Sequence, residues 1–133
     1  DVALDFEAIA AAGSMAGSGA VIVINDKTCI VKTCLNLDQF FEEESCGKCT
    51  PCREGTKWLV DILTRMVNGH GRPEDIDLLK SVCNNILGNT FCPLGDSATS
   101  CIMSAFKYFP EEFEHYAHHG CSILEGKKEM AKS

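Results

Sequence analysis

No run of about 18 apolar residues occurs in the sequence, so nothing in it reads as a membrane-spanning helix. Cations are the scarcer sign: 12 Lys and Arg stand against 19 Asp and Glu, a net charge of −7. That balance argues against nucleic acid, whose phosphates demand clustered Lys and Arg. Long runs of one sign are missing as well. The nearest, Glu42-Glu43-Glu44, reads as a solvated helix end. The apolar N-terminal segment lacks a basic leading region and is interrupted by Gly13, Gly17 and Gly19, so it does not read as a secretory signal. Nucleotide-binding glycine motifs are absent too. GSMAGSG (13–19) is not GxGxxG and no GK[ST] follows, so it reads as a turn feeding a strand. Neither an internal repeat nor a Ser/His/Asp or Cys/His catalytic arrangement stands out.

What is present bounds the chain further. Its 133 residues suit one domain, or one domain plus a remnant of another, and the 45% hydrophobic content suits a packed core. The first residue is Asp1 rather than Met, which suggests a processed chain or a piece of a longer one. Nine cysteines is a high and odd number. Without an export signal, it favours reduced thiols and metal ligation over a disulfide framework.

The first 27 residues differ in texture from the rest. Leu4 to Ala12 reads as a short helix, and AVIVIN (20–25) reads as a strand with no sheet to join. From Thr28 onward the pattern is helical. Ile30, Cys34, Leu37 and Phe41 mark one face of a helix over about 28–44. Thr50 is placed to cap a second helix with Pro51 at its first position; Trp58, Leu59, Ile62, Leu63, Met66 and Val67 form its apolar stripe. Pro73, Glu74 and Asp75 open a third, with Ile76, Leu79, Val82, Cys83 and Ile86 inward and Gly88 closing it. Asp96 or Ser97 is expected to cap a fourth, which Pro110 breaks before a short continuation to Gly120. The expected fold is mainly all-α: a four-helix bundle with a short helix-turn-strand piece ahead of it.

The chemistry concentrates in ESCGKCTPCREG (44–55). Cys46, Cys49 and Cys52 stand at C-x2-C-x2-C spacing, and Cys92, trailed by Pro93, follows after 39 intervening residues. A cubane needs one thiolate per iron, and three close ligands plus one remote, proline-flanked cysteine meets that need. A helix N-terminus offers unpaired N–H groups and a positive dipole end to an anionic cluster. Gly47 lets the backbone wrap closely, and Lys48 and Arg53 add positive charge that favours thiolates. Structural zinc also uses four cysteines, usually as two separated CxxC pairs, so a colourless zinc module mediating subunit contact is the competing reading.

These segments, with AGSMAGSGAVIVIND (12–26) before them and FCPLG (91–95) after, resemble the C-terminal region of the NADH-oxidising flavoprotein subunit of respiratory complex I. The resemblance runs from about residue 2 to residue 116. It implies that residues 1–27 end a ubiquitin-like (SLBB) domain, that 28–121 form a four-helix [4Fe–4S]-binding bundle, and that 122–133 are a polar tail. It places the cluster on Cys46, Cys49, Cys52 and Cys92. FMN and NADH would bind upstream of everything present here, so the chain alone is expected to bind neither and to oxidise no NADH. The implied function is relay of single electrons from reduced FMN to the next iron–sulfur centre. Implied partners are a [2Fe–2S] thioredoxin-like subunit and a larger iron–sulfur subunit. The implied location is cytoplasmic, on the inner face of the plasma membrane, or the matrix side in a mitochondrion. Related subunits of NAD-linked hydrogenases and formate dehydrogenases are the alternative parents. Several of those continue into a second cysteine-rich segment, whereas this sequence ends with Cys121 and a tail reading KKEMAKS.

The other cysteines, Cys29, Cys34, Cys83, Cys101 and Cys121, lack a partner at ligand spacing. Cys34 and Cys83 are expected in the core, as are Trp58 and the phenylalanines. Cys101 is a candidate to pack near the cluster without ligating it. His115, His118, His119 and Cys121 form HxxHHxC, read as a frayed, exposed end rather than a metal site.

Overall fold

The computed structural model describes residues 2–125 and is all-α over them. A short helix α1 (Phe6–Ala11) is capped by Asp5, whose Oδ1 accepts from Ala8 N at 2.7 Å. It is followed by α2 (Ile30–Glu44), α3 (Thr50–Arg65), α4 (Glu74–Ile86), α5 (Pro93–Tyr108) and α6 (Pro110–His119). The expected strand does not form. Residues 20–25 adopt no regular element, and no strand exists among the described residues for AVIVIN to pair with. Val21, Ile22 and Val23 are consequently exposed. Most of the polar tail, residues 126–133, lies outside the described residues.

The bundle core gathers Val31 and Cys34 of α2, Leu59, Ile62 and Leu63 of α3, Leu79, Val82, Cys83 and Ile86 of α4, Ile102 of α5, and Phe113 and Tyr116 of α6. The expected α4 face therefore holds, with Ile76 at its edge. That of α2 is rotated: Val31, Cys34 and Asp38 are buried, while Ile30, Leu37 and Phe41 are only half-buried. Trp58 is a further correction. It is 54% exposed, because the close approach of α3 to α4 is made at Gly55, where any Cβ would sit 2.6 Å from Ile86 Cδ1. The larger indole is left on the rim beside Val82. Phe6, Phe40, Phe91 and Phe109 are exposed as well, so of the seven phenylalanines only Phe113 is fully buried.

Two joints hold the far end together. After α3 the chain passes through a π-type turn (Met66–His70), with Gly69 at φ 81°. Gly120, at φ 68°, ends α6 against it. A Cβ on Gly69 would lie 3.1 Å from Gly120 O, and one on Gly120 would lie 3.0 Å from Gly69 O. Nearby, Asp75 at the start of α4 is buried and accepts both prongs of the Arg65 guanidinium, Nε at 3.1 Å and Nη2, together with Arg72 N at 3.0 Å. α6 in turn caps α2, because Glu112 Oε2 accepts from Ile30 N at 2.9 Å and the Cys29 thiol donates to Tyr116 Oη at 3.6 Å.

Candidate metal centre

Both cysteine segments end as helix caps. Cys49 is the N-cap of α3 and Cys92 that of α5, each followed by Pro in the first turn. The caps expected at Thr50 and at Asp96 or Ser97 fall to these cysteines instead. Asp96, inside the first turn of α5, accepts from Gly88 N at 2.9 Å and ties the end of α4 to α5. Neither cysteine N-cap makes a side-chain capping bond, so two helices present their first N–H groups without a side-chain acceptor. Ile86 explains how the two starts come together. It fills the space over Gly55 on α3 and over Gly95 on α5, where an added Cβ would meet its Cγ2 at 3.1 Å.

One contact crosses between the segments: Phe91 N donates to Cys49 Sγ at 3.4 Å, linking positions 42 apart in sequence. Thr90 Oγ1 donates to Cys92 O at 3.0 Å and shapes the turn that leads there. On the other side, Cys52 Sγ and Ser45 Oγ share a hydrogen bond of 3.2 Å; Ser45 is the C-cap of α2. Arg53 folds back over the loop and donates to Gly47 O at 2.6 Å, while Gly47 itself has φ 76°. Exposure is graded: Cys46 and Cys92 are exposed, Cys49 is half-buried and Cys52 is buried.

All nine cysteines are free thiols. Among the described residues no three His, Cys, Asp or Glu side chains close into a set around one metal ion. A cubane does not ask for that, because each thiolate holds its own iron and the ligands stand apart. The donor set suits such a group: four free thiols on two adjoining segments, first-turn N–H groups with no side-chain cap at either helix start, and a glycine where the loop turns back. Cys29 and Cys83 are buried elsewhere in the core. Cys34 donates to Cys101 O at 3.8 Å, and Cys101 donates to Asp38 Oδ2 at 3.2 Å. His115 bonds Cys121 O at 2.7 Å and stacks on His119 with ring centroids 4.6 Å apart.

Sequence reasoning passed over Ser45, the Phe91 amide and Asp38. Ser45 adjoins the first cysteine and could have been noticed there. A backbone donor such as Phe91 N leaves no residue-type signal. Asp38 sits one turn after Cys34 on the buried face, where a search for apolar periodicity does not register an acid.

A small helical bundle with a cysteine-lined end defines the class of thiolate-ligating metal-binding domains. Comparison with known proteins narrows it. The family described as NADH-ubiquinone oxidoreductase-F iron-sulfur binding region matches residues 32–116, and the chain belongs to that family. Among curated relatives, the NADH-quinone oxidoreductase F 2 subunit of Rhizobium meliloti (strain 1021) is 50% identical over 113 residues, covering 85% of this chain and 27% of that protein. The corresponding NADH-quinone oxidoreductase F-type subunit of Streptomyces coelicolor is 48% identical over 122 residues, covering 91% and 27%. The chain thus spans about a quarter of the length of these relatives (27%). The fold is that of part of an NAD+-reducing [NiFe]-hydrogenase in its H2-reduced state, with a TM-score of 0.72 at 23% identity over 86% of this chain and 21% of that one. No helix among the described residues is long and apolar enough to cross a membrane.

Proposed function

We propose that the chain is the cluster-holding part of an NADH-oxidising flavoprotein subunit, with Cys46, Cys49, Cys52 and Cys92 as the four thiolate ligands of one [4Fe–4S] cluster. The observation that carries this reading is the Phe91 N to Cys49 Sγ contact, which brings the segment containing Cys92 onto the CxxCxxC loop. When bound, the cluster supplies one-electron redox chemistry. The protein's own residues position and tune that site. Cys49 and Cys92 start two helices there, so the positive ends of both helix dipoles, uncapped by a side chain, meet accumulating negative charge. Ser45 and Phe91 N bond to ligand sulfurs, an arrangement that raises potential relative to bare thiolates. Exposed Cys46 and Cys92 leave that end open to a partner, while buried Cys52 faces the core.

On this reading residues 1–27 complete a ubiquitin-like domain whose remaining strands lie in the parent, and 28–121 are the electron-carrying bundle. FMN and NADH bind upstream, and electrons pass from reduced FMN to an iron–sulfur centre on another subunit of a complex at the inner membrane face. Relatives named as subunits of NADH-quinone oxidoreductases support that parent over a hydrogenase or formate dehydrogenase. The test is anaerobic reconstitution, which should give about four irons and four sulfides per chain. Cys92→Ser should lose the cluster as completely as Cys49→Ser, whereas Cys83→Ala should keep it. Stoichiometric zinc in the native protein, or full iron content in Cys92→Ser, overturns the reading.

A further inference from the structure

Asp38 lies in the middle of α2 with no accessible surface, and its Oδ1 has no hydrogen-bond partner among the described residues. Such an oxygen needs an explanation. Its Oδ2 accepts from the Cys101 thiol on α5 at 3.2 Å, a single S–H for which Ala98 O at 3.3 Å competes. The other titratable groups near it are also thiols, Cys83 from α4 and Cys34 one turn earlier on α2. No cation faces it. α3 turns Arg53, Lys57 and Asp61 to solvent, and α6 commits Glu112 to Ile30 N and His115 to Cys121 O. Burial pushes the carboxyl up to about 7, against a smaller downward pull from the Cys101 hydrogen bond. Both protonation states are therefore within reach near neutrality.

The carboxyl is also close to the cysteine end. Ser45, seven residues further along α2, is hydrogen-bonded to Cys52 Sγ. Seven residues of helix measure about 10 Å, at about 1.5 Å each. A unit charge at that separation, with an effective dielectric constant of about 20, changes proton affinity roughly tenfold. A groove of about 190 Å³ between α2 and α5, lined by Cys34, Leu37, Cys101 and Ser104, reaches half-buried Cys101, the residue whose thiol bonds Asp38.

We propose that Asp38 is a redox-linked proton acceptor: when the cysteine end of the bundle takes up one electron, Asp38 binds one proton from solvent, and it releases that proton on oxidation. The inference rests on the cluster reading above. The electron comes from a one-electron donor of the reduced-flavin or dithionite class. The proton comes from water or buffer through the α2–α5 groove, an O–H bond forms on the carboxyl, and the net charge of the domain is unchanged over the cycle.

The experiment uses the full 133-residue chain, loaded anaerobically. Iron, sulfide and the visible spectrum come first, and failure there counts against the cluster reading and not against Asp38. The midpoint potential is then followed between about pH 5 and about pH 9, a range that brackets the Asp38 titration. The potential should fall with rising pH in the unaltered protein and stay flat in Asp38→Asn and Asp38→Leu. Cys101→Ala removes the bond that pulls the carboxyl down and should move the sloping region to higher pH, while Cys101→Ser should return it toward the original. If the aspartate variants do not load, the Cys101 pair decides. In the cluster-free chain, the infrared band of a protonated carboxyl should titrate near neutrality and be missing from Asp38→Asn. A flat potential in the unaltered protein, or the same slope in Asp38→Asn, overturns the proposal.

Discussion

Asp38 and Asp75 are both closed off from water, yet they live in opposite surroundings. Asp75, at the corner between α3 and α4, receives a two-pronged guanidinium and a backbone N–H. Asp38, in the middle of the bundle, receives one thiol and leaves an oxygen empty. Burial opposes charge at Asp75 too, but the hydrogen bond from Arg65, the Arg72 amide and the two cationic side chains outweigh it and hold the carboxyl below its ordinary range. At Asp38 nothing offsets burial except a weak donor. Burial alone does not fix whether an acid stabilises a fold. The number and charge of the donors that reach it do.

The largest expected effect comes from removing the saturated acid. Asp75→Ala should cost about 4 kcal/mol, because it leaves Arg65 partly buried without its partner and frees the Arg72 amide. Urea unfolding measures this; a loss below about 1 kcal/mol would mean the corner joint is decorative. Next is Asp38→Asn, whose sign is opposite. A carboxyl raised to about 7 binds more protons folded than unfolded between its unfolded value, 3.8, and that pH, so its contribution falls as pH rises through the window. The substitution should therefore stabilise the chain at pH 8, by at most the roughly 4 kcal/mol that a rise from 3.8 to about 7 represents, and by almost nothing at pH 4. An Asp38→Asn unfolding profile that parallels the unaltered protein from pH 4 to pH 8 would erase the contrast. The smallest effect is expected from Arg65→Lys, which keeps the charge but gives up the fork. About 1 kcal/mol should be lost, read as a shift in the urea midpoint with unchanged m.

Much of the bundle was legible because its punctuation is local. Prolines at 51, 73, 93 and 110 mark helix starts, and Gly88 and Gly120 mark ends with positive φ. The cysteine loop was legible for the same reason, since three of the proposed ligands lie within seven residues. What failed depends on neighbours distant in sequence. AVIVIN has strand chemistry, but a strand is a property of a pair, and no described residue supplies the partner. Trp58 falls within the apolar stripe of α3, but the helices meet at Gly55 and leave the indole at the edge. Asp38 shares a face with Cys34, but its polarity hid it from a hydrophobic pattern. Its role depends on Cys101, 63 positions away.

The two glycines at the far end constrain how this chain can change over evolution. Ordinary tight packing lets one substitution open room for another, since a bulky side chain can be matched by trimming its neighbour. Gly69 and Gly120 allow no such trade, because the atom blocking each is the other's carbonyl oxygen, which every amino acid carries. No second mutation can make room for the first by shrinking a side chain. Both clashes lie between the same two backbone segments, so one shift apart relieves both, and replacing both glycines should cost less than the sum of the single replacements.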